Sequence, residues 1–347
     1  MIAWLWLAVN AVACAGLAVE LSNLAEFPRL EPRTGDERVD VYVAMRDEAG
    51  NARAFLDIAL ALENVERVVV ADDDSGDATG RIVNRYAARD ARVRYHRTSG
   101  GKRSALASAV RAFAPQQRWV LFLDADVRLE PRAGDAIVAY ARARNAAAAS
   151  AWLRVEPASI WSHLFAPLVT LFLLQCLPMR AARGTDPRFA AGNGQCFLVR
   201  ADAYARSGGH AALSEIVEDV ALARSLKRAG YRVALASAAS VGSVRGYGSF
   251  GANMRGFGRS LYYGAGAAGC VFVAVWQIAL ALAPVPLYCA RVLSARLMGE
   301  SVGSVLLAPL GAVAGACLAA YALIEGVTGR IAWRGRRISG GETAARP

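Results

Sequence analysis

Two short acidic clusters are the residues of this chain best suited to chemistry. Asp124-Ala125-Asp126 follows the apolar run Leu121-Phe122-Leu123, so both carboxylates stand at the mouth of a buried strand. Carboxylates one residue apart repel unless a cation lies between them. Aspartate oxygens suit the hard ions Mg2+ and Mn2+, which bridge to a diphosphate. A solvated turn is the competing reading, and the apolar strand ahead weighs against it. The second cluster, Asp72-Asp73-Asp74-Ser75-Gly76-Asp77, follows a run of valines. It is either a turn capping the next helix or a pocket whose carboxylates hydrogen-bond a nucleobase or ribose. Gly100-Gly101-Lys102-Arg103-Ser104 enters a helix, where glycines and a lysine suit a phosphate, although the P-loop spacing is absent. Glu218-Asp219 also opens a helix. That is a routine helix start, and also a place from which a carboxylate can act as general base toward a hydroxyl.

The elements around these motifs alternate. Strands are expected at 39–45, 67–71, 93–96 and 119–123, and helices at 51–62, 77–88 and 102–113. This order argues for an α/β fold with a mostly parallel sheet, whose ligands bind at the carboxyl ends of the strands. The acidic clusters sit at such ends. The second half is less regular: strands at 149–155, 195–200 and 231–235, a flexible loop at Gly192–Gly194, and a helix at 218–229.

Taken in order, Arg46-Asp47-Glu48, Asp72-Asp73-Asp74-Ser75-Gly76-Asp77, Gly101-Lys102-Arg103-Ser104-Ala105-Leu106, Asp124-Ala125-Asp126 and Glu218-Asp219 resemble the motif series of family 2 of the inverting glycosyltransferases, which have the GT-A fold. The resemblance covers residues 39 to about 260, and the flanking apolar segments are similar to those of membrane-bound ceramide and carotenoid glycosyltransferases. It implies a nucleotide-sugar donor, UDP by family habit, and Mg2+ or Mn2+. Glu48 and Asp72, with Asp73 as near alternative, would hold the uridine-like part. Lys102 would lie near the base or diphosphate. Asp126 would bind the metal, and Asp124 the metal, donor sugar or ribose. Asp219 would be the base, supported by Glu218. Three departures stand out: Asp74 replaces the usual glycine, Asp47 the usual asparagine, and Gly256-Phe257-Gly258-Arg259-Ser260 lacks the Gln and Trp of Q/R-x-x-R-W. Arg259 would still neutralise the leaving diphosphate. The missing Trp argues against a processive polysaccharide synthase and for a single transfer, and the intact Asp126 and Asp219 argue against a non-catalytic scaffold.

Hydrophobic residues make up 55% of the chain. The uncharged runs 2–19, 260–290 and 301–324 are long enough to cross a bilayer. The expected organisation is an anchor at 1–24, a GT-A domain at 36–259, two spans within 260–325 and a basic tail at 326–347. Net charge is +11, but the basic residues are scattered apart from Arg334, Arg336 and Arg337 after the last span, which suits a membrane surface rather than nucleic acid. Arginines flank the inner ends of the spans, which places the polar domain on the cytoplasmic side of the cell membrane and the N-terminus outside. None of the six cysteines forms a C-x-x-C pair, so they read as apolar filling. A fourth apolar run, 157–179, lies between Asp126 and Asp219. Those residues must share one site, so the run is expected to lie in or on the interface, beside the active site, where a lipid or isoprenoid acceptor enters. His163 reads as structural or interfacial, and His210 as a possible active-site loop residue.

Overall fold

The structure is a computed structural model and describes residues 2–214, 216–333 and 336–337. The basic cluster expected in the tail, with Arg334, lies outside the described residues apart from the backbone of Arg336 and Arg337. Helix α1 (Ile2–Leu24) leads into β1 (Val39–Met45), α2 (Ala49–Ala61), β2 (Val65–Asp73), α3 (Thr79–Ala87), β3 (Val93–Thr98), α4 (Lys102–Ala112), β4 (Trp119–Leu123) and β5 (Val127–Leu129). Next come α5 (Ala133–Ala143), β6 (Ala148–Trp152), β7 (Arg154–Glu156), α6 (Ile160–Cys176), α7 (Met179–Ala182), β8 (Cys196–Arg200), α8 (Ala201–Arg206), α9 (Glu218–Arg228), β9 (Val233–Ser237) and β10 (Gly242–Arg245). Four helices follow: α10 (Phe250–Ala281), α11 (Pro284–Met298), α12 (Val302–Leu306) and α13 (Ala308–Val327).

Seven strands form one sheet in the order β3-β2-β1-β4-β8-β6-β9. β8 runs antiparallel to both neighbours, and the remaining pairs are parallel. Side chains alternate across it. Val39, Val41, Val43 and Met45 of β1 join Phe55 of α2 and Ile137 of α5 on one face. Tyr42 joins Val69, Ala71 and Leu106 of α4 on the other. A sheet covered on both faces favours continuous apolar strands, and β4 is buried along its whole length. The register sets Met45 beside Asp72 and Leu123 beside Cys196, so the strand ends that carry the motifs lie side by side.

One charged pair is buried within this sheet. Arg67 donates to Asp40 at 2.9 Å, with the carboxylate fully covered and also receiving the Gln116 N–H at 2.6 Å. Breaking a buried pair from one side strands the other charge. Arg67→Ala is therefore expected to destabilise the protein by roughly 3–5 kcal/mol, read as a loss of thermal stability in detergent.

Several elements differ from expectation. The strand expected at 149–155 is two strands: β6 belongs to the large sheet, and β7 to a small one of order β5-β10-β7. β9 begins at Val233 rather than 231 because Gly230, at φ 85°, ends α9 and the Tyr231 N–H bonds back to Leu226. The apolar run 260–290 also divides. Its helix starts earlier, at Phe250, capped by Ser249, whose hydroxyl accepts from the Ala252 N–H at 3.2 Å, and it ends at Ala281. Pro284 then opens α11, since proline lacks the N–H to continue the earlier helix. Pro309 likewise begins α13 and leaves α12 as a separate turn.

Among the described residues three helices are long and apolar enough to cross a membrane: Trp6–Leu24, Phe250–Ala281 and Ala308–Val327. Their outward faces carry large apolar side chains, among them Trp4, Val275 and Leu310. α6 is shorter and packs among them. The Asn23 amide of α1 donates to the Leu174 and Leu177 carbonyls at 2.7 Å each, partnering carbonyls that the end of α6 leaves unpaired.

Candidate functional site

The loops after β1 and β2 are stitched to each other. The Asp47 N–H donates to Ser75 Oγ (3.0 Å), Gly76 N–H to Asp47 Oδ1 (2.8 Å), Glu48 N–H to Thr79 Oγ1 (2.8 Å) and Ala49 N–H to Asp77 Oδ2 (2.9 Å). Asp47 and Asp74 have φ of 51° and 55°. Both occupy the left-handed region, which aspartate and asparagine tolerate better than most residues. Asp74 is also held by Arg97 at 2.8 Å. The unusual aspartates thus keep the backbone shape that glycine and asparagine would supply. Asp72 is buried, accepting from Ser75 N–H (2.9 Å) and Tyr95 OH (2.6 Å). Asp73, also buried, accepts from Gly101 N–H (2.9 Å) and faces Arg46 (3.2 Å), so it fixes the glycine turn ahead of Lys102. Glu48 accepts from the Asn51 amide at 2.8 Å.

Lys102 opens α4 and reaches across to two carboxylates, Asp124 at 2.7 Å and Glu218 at 2.6 Å. Asp219 receives the Gly194 N–H (2.6 Å) and the Val220 N–H (2.8 Å). Gly194 leaves little room for a side chain: a Cβ there would lie 3.1 Å from Lys102 Nζ, 3.3 Å from Glu218 Oε1 and 3.4 Å from Asp219 Oδ2. Its loop is anchored at Ser150 Oγ, which accepts the Asn193 N–H at 2.7 Å. The end of β4, the start of α9 and the 192–195 loop therefore meet at one point.

Electrostatics separate the acids there. Burial works against the Lys102 ammonium, but Asp124 and Glu218 outweigh it and hold its pKa well above the ordinary lysine value. Burial pushes Glu218 up as well, and its pairing with Lys102 overcomes that, leaving it below the usual glutamate range. Asp219 has no such partner. Burial, then the Glu218 charge, push it up to about 7. Asp126 is raised to about 6 by burial, then by Asp124 and Glu48.

A cavity of about 760 Å3 opens from this point. Lys102, Asp124, Gly194, Glu218 and Asp219 line one part of it, and side chains of α6, α10 and α13 line the rest. Arg259, inside α10 rather than ahead of a span, and His163 both face it. His210 instead packs within the fold, against Phe122 at 4.7 Å between ring centres and bonded to Tyr204 at 2.9 Å. Burial lowers its pKa to about 4, so it is a neutral core residue beneath the site.

The family described as glycosyltransferase like family 2 matches residues 37–262. The chain belongs to that family. It is thus a glycosyltransferase with a nucleotide-sugar donor and the GT-A fold. No curated protein sequence matches it. Among solved structures, a mannosyltransferase from Pyrobaculum calidifontis in complex with GDP-Man and Mn2+ aligns at a TM-score of 0.60 and 17% identity, over 92% of this chain and 99% of that one. TarS from S. aureus in complex with UDP gives 0.45 and 12%, over 84% and 92%. Glucosyl-3-phosphoglycerate synthase from Mycobacterium tuberculosis, with Mn2+, UDP and glucosyl-3-phosphoglycerate, gives 0.42 and 16%, over 64% and 80%.

In this family-2 enzyme the donor set suits a divalent ion. Asp126 is a half-buried carboxyl crowded by Asp124 and Glu48, and a cation relieves such crowding. Among the described residues no group of three His, Cys, Asp or Glu side chains forms a ligand set, so a bound ion would take further ligands from outside the protein. Tyr95, which bonds Asp72, was missed by sequence reasoning, and Gly194 was read only as part of a flexible loop. A hint lay in the spacing Gly192-Asn193-Gly194, since Gly192 is also sterically required: a Cβ there would lie 2.8 Å from the Asp219 carbonyl oxygen.

Proposed function

We propose that the enzyme transfers a single sugar, with inversion, from a UDP-sugar to a hydrophobic acceptor at the cytoplasmic face of the cell membrane. The observation carrying this reading is the cavity that joins Asp219 and Lys102 to the apolar walls of α6, α10 and α13. A water-soluble acceptor has no need of such walls. The reading keeps α6 in the interface beside the site, α1, α10 and α13 as spans, and residues 36 to about 259 as the catalytic unit. Arginine bias sets the orientation.

In this mechanism Glu48, Asp72 and Asp73 hold the nucleoside. Asp124 and Asp126 would hold Mg2+ or Mn2+, which when bound supplies charge neutralisation for the diphosphate. Asp219 takes the proton of the acceptor hydroxyl. That oxygen bonds to the anomeric carbon from the face opposite the diphosphate, and the carbon–oxygen bond to the diphosphate breaks with its electron pair. Arg259 steadies the departing charge. Glu218, locked to Lys102, stays ionised and orients the start of α9.

Calorimetric titration with UDP, GDP and their sugar conjugates tests this, with and without Mn2+, on wild type and Asp126→Asn in detergent. UDP is expected to bind only with the metal, and Asp126→Asn to lose most of that affinity. Metal-independent binding of equal strength in both proteins would sink the metal assignment. GDP binding alone would overturn the donor.

A further inference from the structure

The cavity carries more information than its apolar walls. Its lining on α10 includes Phe257, Arg259, Gly264, Val273 and Gln277, on both sides of a kink at Gly266. Its volume is about 760 Å3, and the α6 and α13 walls, with Leu168, Leu173 and Leu318, are apolar enough for a hydrocarbon chain. Ligand sites of this kind commonly measure about 300–1,000 Å3.

The two ends differ in polarity. At the catalytic end three carboxylates, Asp124, Glu218 and Asp219, outnumber the two cations that line it with them, Lys102 and Arg259. Arg154 also lines the cavity and lies 3.5 Å from Glu156. A phosphate monoester carries about −1.5 to −2 charge at pH 7 and would add to that negative excess. A neutral hydroxyl would not. At the other end Gln277 is 1% exposed, yet its side-chain Oε1 has no hydrogen-bond partner. The amide lies over Gly315 of α13, where a Cβ would fall 2.8 Å from Gln277 Cδ and 3.1 Å from Leu168 Cδ1. The glycine makes room for it. Beyond it Arg291 and Ser304 are already engaged with Glu300, at 2.5 and 3.1 Å. His163 lines the same space as Gln277, and the walls on its other side, Val273 and Leu318, are apolar. A buried, unpaired amide oxygen is costly and calls for a donor.

We propose that the cavity holds a neutral long-chain lipid alcohol bearing a second polar hydrogen-bond donor, with the reacting hydroxyl at Asp219 and the second donor at Gln277. The proposal rests on the transfer reaction proposed above and names the acceptor class and a specificity-determining residue for it.

Photocrosslinking tests it on the full chain in phosphatidylcholine nanodiscs, after the nucleotide titration has been repeated there. The probe is a diazirine-bearing long-chain diol, and the competitors are the unlabelled diol, a mono-alcohol of equal length and octadecyl phosphate. Label is expected on α10 peptides containing Gln277. The diol should compete about tenfold better than the mono-alcohol, the worth of one good buried hydrogen bond, and octadecyl phosphate should compete least. Gln277→Met should bring diol and mono-alcohol to equal potency without weakening the mono-alcohol, which a merely structural role would not do. Gln277→Leu serves if the methionine variant does not fold. Octadecyl phosphate as the best competitor, a diol advantage that survives both variants, or label absent from α10 would each overturn the proposal. If metal-dependent nucleotide binding persists in that case, the acceptor assignment alone falls. If folded protein binds no nucleotide, the underlying transfer reading falls with it.

Discussion

Asp219→Asn is expected to lower sugar transfer by roughly 10^2–10^4-fold, the usual range for loss of a general base, while metal-dependent nucleotide binding survives. The amide keeps the size of the side chain, and its one oxygen can still accept one of the two N–H groups, Gly194 or Val220, that position the carboxylate. What it loses is the ability to take a proton. The pH profile is the sharper readout. Burial and the Glu218 charge raise Asp219 to about 7, so in the wild type the carboxyl is protonated and inactive as a base below that pH. Transfer should therefore rise with pH and level off above about 7, where the carboxylate form dominates. In Asp219→Asn this acid limb should vanish, leaving a low and flat residual rate. A variant that kept the limb would assign the titration, and the base, to another group.

The strand order of the first half was legible because each strand is a short apolar run ended by charge, and burial on both faces of a parallel sheet requires that pattern. Arg46–Glu48, the Asp72 loop, Lys102 and Asp124 therefore stand where the sequence placed them, at adjacent strand ends. The second half was harder for a physical reason. β8 is antiparallel and is joined to its neighbours by long excursions, and its partners cannot be read from periodicity. The Gly194–Asp219 bond connects groups far apart in sequence. The paired glycines Gly192 and Gly194 are its one local hint, and their contacts to Asp219 appear only in the fold. The apolar spans failed at their edges, where hydropathy alone ignored Pro284 and Pro309. Proline, not polarity, ends those helices. His210 misled for the opposite reason: its place near the Glu218 helix suggested chemistry, while its ring serves to pack Phe122 and Tyr204.

The position of Lys102 separates two roles that the sequence could not. A lysine after paired glycines suits a diphosphate, yet its ammonium lies 2.7 Å from Asp124 and 2.6 Å from Glu218. A group so engaged acts first as a clamp between the donor-side and acceptor-side acids. Lys102→Met removes the cation and leaves both carboxylates facing each other. Its attraction lowers Glu218 and Asp219 alike, so its loss moves both upward. The acid limb of transfer should then shift above about 7, by roughly 1–3 pH units. Activity at pH 7 should fall by roughly 5- to 500-fold, as that shift empties the carboxylate form, and recover partly in alkaline buffer. Adding Glu218→Gln removes the charge that Lys102 balanced and should bring the midpoint back toward the wild-type value, so the two substitutions are strongly non-additive. A diphosphate-binding lysine predicts something else: weaker nucleotide affinity in Lys102→Met, an unmoved pH midpoint and no rescue by Glu218→Gln. Titrating nucleotide and pH on the two single variants and the double variant therefore decides which of the two roles the ammonium fills.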